Sequence, residues 1–393
     1  MTSNPGVAAA TPLEEARAGL DACVHCGFCL QSCPTYLALE SENDSPRGRL
    51  LLMRGLLEGE ISASDASLDL HISRCLGCRG CESACPSGVP YGQLLEATRA
   101  TLAAVRKLPA IARLVLWVFE RPAMLRLVLT GAKALRWSRA SRLLARLPGR
   151  IGFAFAMLES TRPLDGAHGA VRQAPAGGRR VGMLEGCVMR GLFAHTNSAT
   201  RRALAANGCE VVDAPGQRCC GALHAHAGDL DGARRLARAN IDAFERASTE
   251  AIVVNAAGCG AMMKEYGHLL QNDPHYAERA SAISARVRDV SEVLAEHGGP
   301  RPGQGADSRR VAYDPPCHLL HAQRIARQPL DVLQAIPGLT LTPLAEAEQC
   351  CGAAGIYNLM EPDVSNAVLE RKLRHIIESR VDLVATGNPG CLM

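Results

Sequence analysis

The run Cys23-x2-Cys26-x2-Cys29-x3-Cys33-Pro34 recurs 52 residues later as Cys75-x2-Cys78-x2-Cys81-x3-Cys85-Pro86. No other feature constrains the chain as strongly. Three thiols at this spacing wrap one corner of an inorganic cube. The fourth, set just before proline, lies too far along the chain to close the same cube. Two such runs therefore imply crossed ligation of two clusters. Cys23, Cys26, Cys29 and Cys85 would hold the first, and Cys33, Cys75, Cys78 and Cys81 the second.

This is the spacing by which ferredoxin-type domains hold two [4Fe-4S] clusters, which relay single electrons. Zinc is a poorer reading, because its sites take two pairs of thiolates rather than two identical four-Cys runs ending in proline. Disulfides fit badly with 17 cysteines, an odd number, and with a start, MTSNPGVAAATP, that lacks a basic segment followed by an apolar one. That start reads as a disordered arm. No stretch of 18 uninterrupted apolar residues occurs. The expected location is the cytoplasm, with peripheral contact on the cytoplasmic face of the inner membrane as the alternative.

Composition narrows the function classes. Aromatic residues make up only 4% and the net charge is +4, which disfavours a base-stacking or wholly basic nucleic-acid surface. No G-x-G-x-x-G stands at a strand–helix junction and no G-x-x-x-x-G-K-[ST] loop is present, so neither a dinucleotide fold nor a phosphate loop is expected. A chain with two clusters and no organic cofactor site needs another protein to supply its electrons.

Four regions are expected. Residues 14–98 form the ferredoxin-type domain, with a helix over Arg47–Glu60 and another from about Tyr91. Residues 99–179 form a basic helical linker. Between 99 and 150 stand twelve Lys or Arg against the single acid Glu120, interleaved with Ile111, Leu114, Trp117, Leu127 and Trp137. A basic amphipathic helix of this kind suits either an anionic membrane surface or a partner subunit. Its Gly/Pro/Arg-rich end, 163–180, reads as a loop. Beyond it the hydrophobic period changes. Strands are expected at Val181–Leu184, Glu210–Asp213, Ile252–Asn255, Arg310–Tyr313, Leu339–Thr342 and Leu383–Thr386, and helices near 196–207, 229–247, 275–297, 318–335 and 362–380. The fold class is thus α+β overall: a helical two-cluster domain, then an α/β region with mainly parallel sheets.

That α/β region is itself duplicated, as 180–299 and 300–393. Cys187 precedes Cys219-Cys220-Gly221 by 32 residues and Cys259 follows Cys220 by 39. Cys317 precedes Cys350-Cys351-Gly352 by 33 and Cys391 follows Cys351 by 40. Self-similarity at an offset of about 130 residues implies two halves about a pseudo-twofold axis. Each half offers four thiols from three loops at strand ends, where α/β sheets place their ligands. Adjacent cysteines suit an unusual cluster that bridges irons, and the glycine after them would let backbone approach inorganic sulfur. The alternative is a set of small buried apolar residues, the reading that suits Cys209. His25 and His71 stand beside cluster cysteines and could bond to sulfur. His224, His226, His318 and His321 mark the space between the halves as a place for an acceptor.

The segments ACVHCGFCLQSCPTYLALESENDSPRGR, SRCLGCRGCESACPSGVPYGQLLE, MLEGCVMRGLFAHTNSATRRAL and NAAGCGAMMKEYGHLL, with both Cys-Cys-Gly pairs, resemble the iron–sulfur subunit of bacterial glycolate oxidase from residue 20 onward, most loosely over 99–179. The resemblance implies glycolate dehydrogenase (acceptor) activity in a complex. A flavin subunit carrying FAD would oxidise glycolate to glyoxylate, and this chain would pass the electrons to a quinone-type acceptor. It also implies the eight ferredoxin-type cysteines as ligands. The Cys-Cys-Gly halves further resemble those of heterodisulfide reductase, which end in C-x-x-C. Here the endings are Cys259-Gly-Ala-Met262 and Cys391-Leu-Met393, so a fifth ligand is missing from each half. The family continues past this last loop, which is therefore expected to fray and makes the second half's site the weaker one. Lactate, glycerol-3-phosphate and heterodisulfide oxidoreductases share the architecture and stand as alternatives. A redox-sensing regulator is the alternative of another class.

Overall fold

A computed structural model describes residues 10–163, 178–296 and 307–393. Most of the expected N-terminal arm, most of the 163–180 loop and the boundary between the two halves lie outside those residues.

The N-terminal region is helical. Its central helix, Pro46–Leu57, begins at Ser45, whose hydroxyl accepts the Gly48 N–H, and carries proline in its first turn. It buries Leu50 and Met53 against Leu94 and Leu95 of the helix Tyr91–Val105. Leu51, on the same helix, is half exposed. Cys33 sits at the N-terminus of a short helix, Pro34–Leu39. The proline after the fourth thiol thus starts a helix where its missing N–H costs nothing.

The basic segment forms two helices, Ala110–Glu120 and Pro122–Trp137, followed by Ala140–Leu144 and Gly149–Ser160. Among the described residues no helix is long and apolar enough to cross a membrane.

Two separate parallel sheets follow. The first holds β1 (Arg179–Met183), β2 (Cys209–Val212), β3 (Ala251–Val254) and β4 (Val287–Asp289), in the order β2-β1-β3-β4. The second holds β5 (Arg310–Tyr313), β6 (Thr340–Thr342) and β7 (Leu383–Ala385), in the order β6-β5-β7. Each order places the first strand of its half in the middle, so the duplication is visible in the topology. The all-apolar β3 is completely buried, as suits a parallel strand covered on both faces.

All six expected strands are present, and β4 is additional. The helix expected over 275–297 is broken into Ala277–Arg286, β4 and Val290–Ala295. Asp289 ends the strand and caps the next helix, accepting from Ser291 N in a capping box with Glu292. The stretch 318–335 likewise splits into a π turn, His318–Ala322, and the helix Gln328–Gln334.

Candidate redox site

All 17 cysteines are free thiols. The eight in the two runs surround two neighbouring cavities. One is lined by Cys23, Cys26, Cys29 and Cys85, with Arg47, Leu50 and Tyr91. The other is lined by Cys33, Cys75 and Cys78, with Thr35, Arg49 and Tyr91. The fourth thiol of each run therefore lies in the cavity of the other run. Cys81 borders both cavities. The thiols ring these spaces rather than meeting at a point, and among the described residues no three metal-binding side chains converge on a single ion. Thiol rings of this kind suit a cube of iron and sulfide.

Burial pushes the Cys29 thiol up to about 11 and also raises Cys33 and Cys81. Metal binding at these positions would have to displace protons, which would couple assembly of a cluster to pH.

The second cavity has a buried cation that the cysteine spacing does not reveal. Arg49 is fully buried. It donates to His71 O (2.7 Å), Thr35 Oγ1 (3.0 Å) and Asp44 Oδ1 (3.3 Å), and its Nη1 lies 4.0 Å from Cys33 Sγ. Tyr91 Oη donates to Cys75 Sγ at 3.6 Å. Hydrogen bonds and a cation beside thiolates tune the charge that a cluster can hold. His71 takes no such role: its Nδ1 lies 3.1 Å from Asp44 Oδ1. His25 Nδ1 lies 4.0 Å from Cys23 Sγ.

The Cys-Cys-Gly thiols gather into one group per half. In the first, Cys187 meets Cys219, and Cys220 meets Cys259; Cys219 and Cys220 lie in the largest apolar core among the described residues, and Cys187 and Cys259 pack against it. In the second, Cys317 Sγ lies 3.9 Å from Cys350 Sγ, and Cys351 meets Cys391. The second group is also continuous with the ferredoxin-type region, because Cys350 meets Cys78. The expected fraying is not seen: Pro389–Leu392 is helical, and Asn388 Nδ2 lies 3.5 Å from Cys391 Sγ. Cys209 is buried among Val181, Leu204 and Val253, as expected of a core residue.

The glycines after the cysteine pairs have a backbone reason. Gly221 and Gly352 have φ of +91° and +87°. A Cβ on Gly352 would come within 2.7 Å of Ser365 O, and one on Gly221 within 3.3 Å of Ala233 O. A left-handed turn against a passing helix demands glycine here.

Different braces hold the two groups. In the first half, Asn240 Nδ2 donates to Cys219 O (2.9 Å) and Tyr266 Oη to Cys220 O (2.8 Å). In the second, buried Lys372 donates to Asp314 Oδ1 (2.9 Å), Ala347 O (2.9 Å) and Glu346 O (3.2 Å). That one ammonium ties the loop before Cys317 to the loop before Cys350.

The four histidines do not share one cavity. His226 and His318 line a space with Arg79, Glu96, Met262 and Glu265, bordered by the ferredoxin-type region and both halves. His226 Nδ1 pairs with Glu96 Oε1 at 2.8 Å. Burial holds His318 down to about 3, so it is neutral. His224 turns away to Asp229 (2.7 Å), and His321 bridges Ser83 Oγ (2.7 Å) and Glu348 O (2.9 Å).

Comparison with known proteins agrees with this layout. A 4Fe-4S dicluster domain matches residues 19–89, and a Cysteine-rich domain matches twice, over 181–264 and 311–393. The chain is 37% identical over 387 residues to the probable glycolate oxidase iron-sulfur subunit of Bacillus subtilis (strain 168), covering 94% of this chain and 87% of the relative. It is 37% identical over 385 residues to the glycolate oxidase iron-sulfur subunit of Escherichia coli (strain K12), covering 96% and 90%. Lactate utilization protein A of Oceanobacillus iheyensis matches at 28% over 214 residues, only 54% of this chain. A dicluster domain fused to two cysteine-rich domains, similar over nearly its whole length to these subunits, places the chain in the family of glycolate oxidase iron–sulfur subunits.

Proposed function

We propose that this chain carries single electrons from a flavin subunit that oxidises glycolate to a quinone-type acceptor. Glycolate loses two electrons and two protons to become glyoxylate, and the acceptor gains both. The chain itself does no carbon chemistry. In this reading Cys23, Cys26, Cys29 and Cys85 hold one [4Fe-4S] cluster, and Cys33, Cys75, Cys78 and Cys81 the other. Each cluster accepts one electron at a time. The observation that carries the reading is the pair of adjoining thiol-lined cavities with Cys81 on their common border.

Cys29→Ser and Cys81→Ser each test it in the assembled complex. Substrate should still reduce the flavin, while quinone reduction stops and one cluster signal is lost from the EPR spectrum. Quinone reduction at the wild-type rate in both variants would refute it. The Cys-Cys-Gly thiols Cys317, Cys350, Cys351 and Cys391 extend the path beyond Cys78, and Cys187, Cys219, Cys220 and Cys259 form a matching set. Iron and sulfide analysis separates two cases: about eight irons per chain confines metal to the two cubes, and a higher count extends it to these sets.

A second reading concerns location. Ten of the eighteen exposed large apolar side chains among the described residues lie between Val105 and Ile151, with Trp137 86% exposed. Arg121 stacks on Trp117 at 4.5 Å, and Glu120, the one acid of this stretch, is already paired with Arg235. An apolar surface set among cations, of which only Arg106 and Arg142 form ion pairs among the described residues, suits the anionic membrane that holds a quinone. Flotation with vesicles containing anionic lipid should recover the complex, and Arg113→Glu with Arg146→Glu should release it. Loss of the flavin subunit instead of the vesicles would assign this surface to the partner.

A further inference from the structure

The two cysteine runs are one motif folded twice, and the structure covers only one of them. Val24 and Phe28 of the first run correspond to Leu76 and Gly80 of the second. Leu76 is 6% exposed and packs with Cys350, Tyr357 and Val364 of the second cysteine-rich half. Gly80 is buried, and a Cβ placed there would lie 3.6 Å from His321 Nε2. Their counterparts Val24 and Phe28 are each 68% exposed. Between them stands Cys26, which alone of the eight ferredoxin-type thiols is exposed. Its counterpart Cys78 is the thiol that meets Cys350.

We infer that the face formed by Val24, Cys26 and Phe28 is the docking surface for the flavin subunit, the entry point of electrons. The inference rests on the proposed electron-transfer role. The motif uses this face once within the chain, for continuity with the second half through Cys78. Among the described residues the same face of the first run is apolar and uncovered, and it carries the most exposed of the eight ferredoxin-type thiols. An exposed aromatic and an exposed aliphatic flanking an exposed redox ligand suit a recognition surface. Electrons that leave through Cys78 toward Cys350 must enter at the opposite end, where Cys26 lies at the surface. The occupant is therefore the donor, a flavoprotein offering an apolar patch near its flavin edge, rather than the acceptor.

The test uses the co-expressed complex with Val24→Glu plus Phe28→Glu. Reduction by dithionite should show both cluster signals unchanged in EPR, and substrate should still bleach the flavin. Binding of the flavin subunit should weaken roughly tenfold or more, and substrate-driven cluster reduction should slow in proportion. Phe28→Ser, which adds no charge, provides the same measurement if the glutamates disturb a cluster. Wild-type binding and wild-type cluster reduction in these variants would overturn the inference. Normal reduction by the flavin subunit with slowed reoxidation by quinone would also overturn it, assigning the face to the acceptor. Failure of substrate to reduce the clusters in the unmodified complex would instead refute the electron-transfer role itself, and it is distinguishable because it needs no variant.

Discussion

The two cysteine-rich halves share a strand order and a thiol arrangement, yet they are stabilised in opposite ways. The first half has four strands, a fully buried β3 and a large apolar core, and its cysteine loops hang on neutral hydrogen bonds from Asn240 and Tyr266. The second has three strands among the described residues, and every residue of β7 remains partly exposed. Its loops are tied by the buried Lys372–Asp314 pair, and its apolar residues pack partly on Leu76 of the ferredoxin-type region. Both halves touch the ferredoxin-type region, the first through the Arg79–Glu265 and Glu96–His226 pairs, but in the second the thiol group itself takes part in the contact. Duplication preserved the geometry around the thiols and left the surrounding packing free to diverge, which let the second half form a contact the first lacks.

The largest effect should come from Lys372→Met. It strands the Asp314 carboxylate, whose proton affinity burial already raises, and frees two loop carbonyls. Breaking a buried pair from one side costs about 3–5 kcal/mol. Proteolysis should then cut the second half first, and Lys372→Met with Asp314→Leu should recover much of the loss. Resistance to proteolysis in the single variant would contradict the brace.

Asn240→Ala should cost less, about 1–3 kcal/mol, because the Cys219 carbonyl loses its donor without stranding a charge. Its unfolding should be confined to the first half. Equal protection changes in both halves by hydrogen exchange would show that the halves are not independent.

A pair of tyrosines sharpens the contrast. Tyr266→Phe removes the bond to Cys220 O within the first half, and Tyr357→Phe removes the 2.8 Å bond to Arg74 O that joins the second half to the ferredoxin-type region. Each should cost about 1 kcal/mol. Only Tyr357→Phe should loosen the ferredoxin-type region, visible as faster exchange near Cys75.

The smallest effect is spectroscopic. Cys350→Ser should alter the signal of the cluster assigned to Cys33, Cys75, Cys78 and Cys81 through its contact with Cys78. Cys219→Ser should leave that signal unchanged. An identical response to both would remove the asymmetry between the halves.

Much of this organisation is legible in the chain. Thiol spacing is local chemistry, so the two runs and the crossed order of their fourth cysteines could be read directly. Six strands were readable because parallel strands are short, apolar and bounded by helices. β4 was not, since Val287-Arg288-Asp289 is too brief to show an alternation and lies within a helical pattern. Arg49 and Tyr91 were also hidden. A single Arg on a helix and a Tyr at a helix start look like surface residues until packing turns them toward sulfur.

The sequence by itself determined the number and order of the thiols, the duplication and the partition into ferredoxin-type and α/β regions, because each depends on residues near one another in the chain. Tertiary structure alone decided that Cys78 meets Cys350 across 272 residues, that the second Cys-Cys-Gly group adjoins the ferredoxin-type thiols while the first lies in a core, and that Cys26 faces solvent. These depend on which surface each half buries. That choice is made by the whole set of apolar contacts, through a hydrophobic effect that has no direction and leaves no local pattern to read.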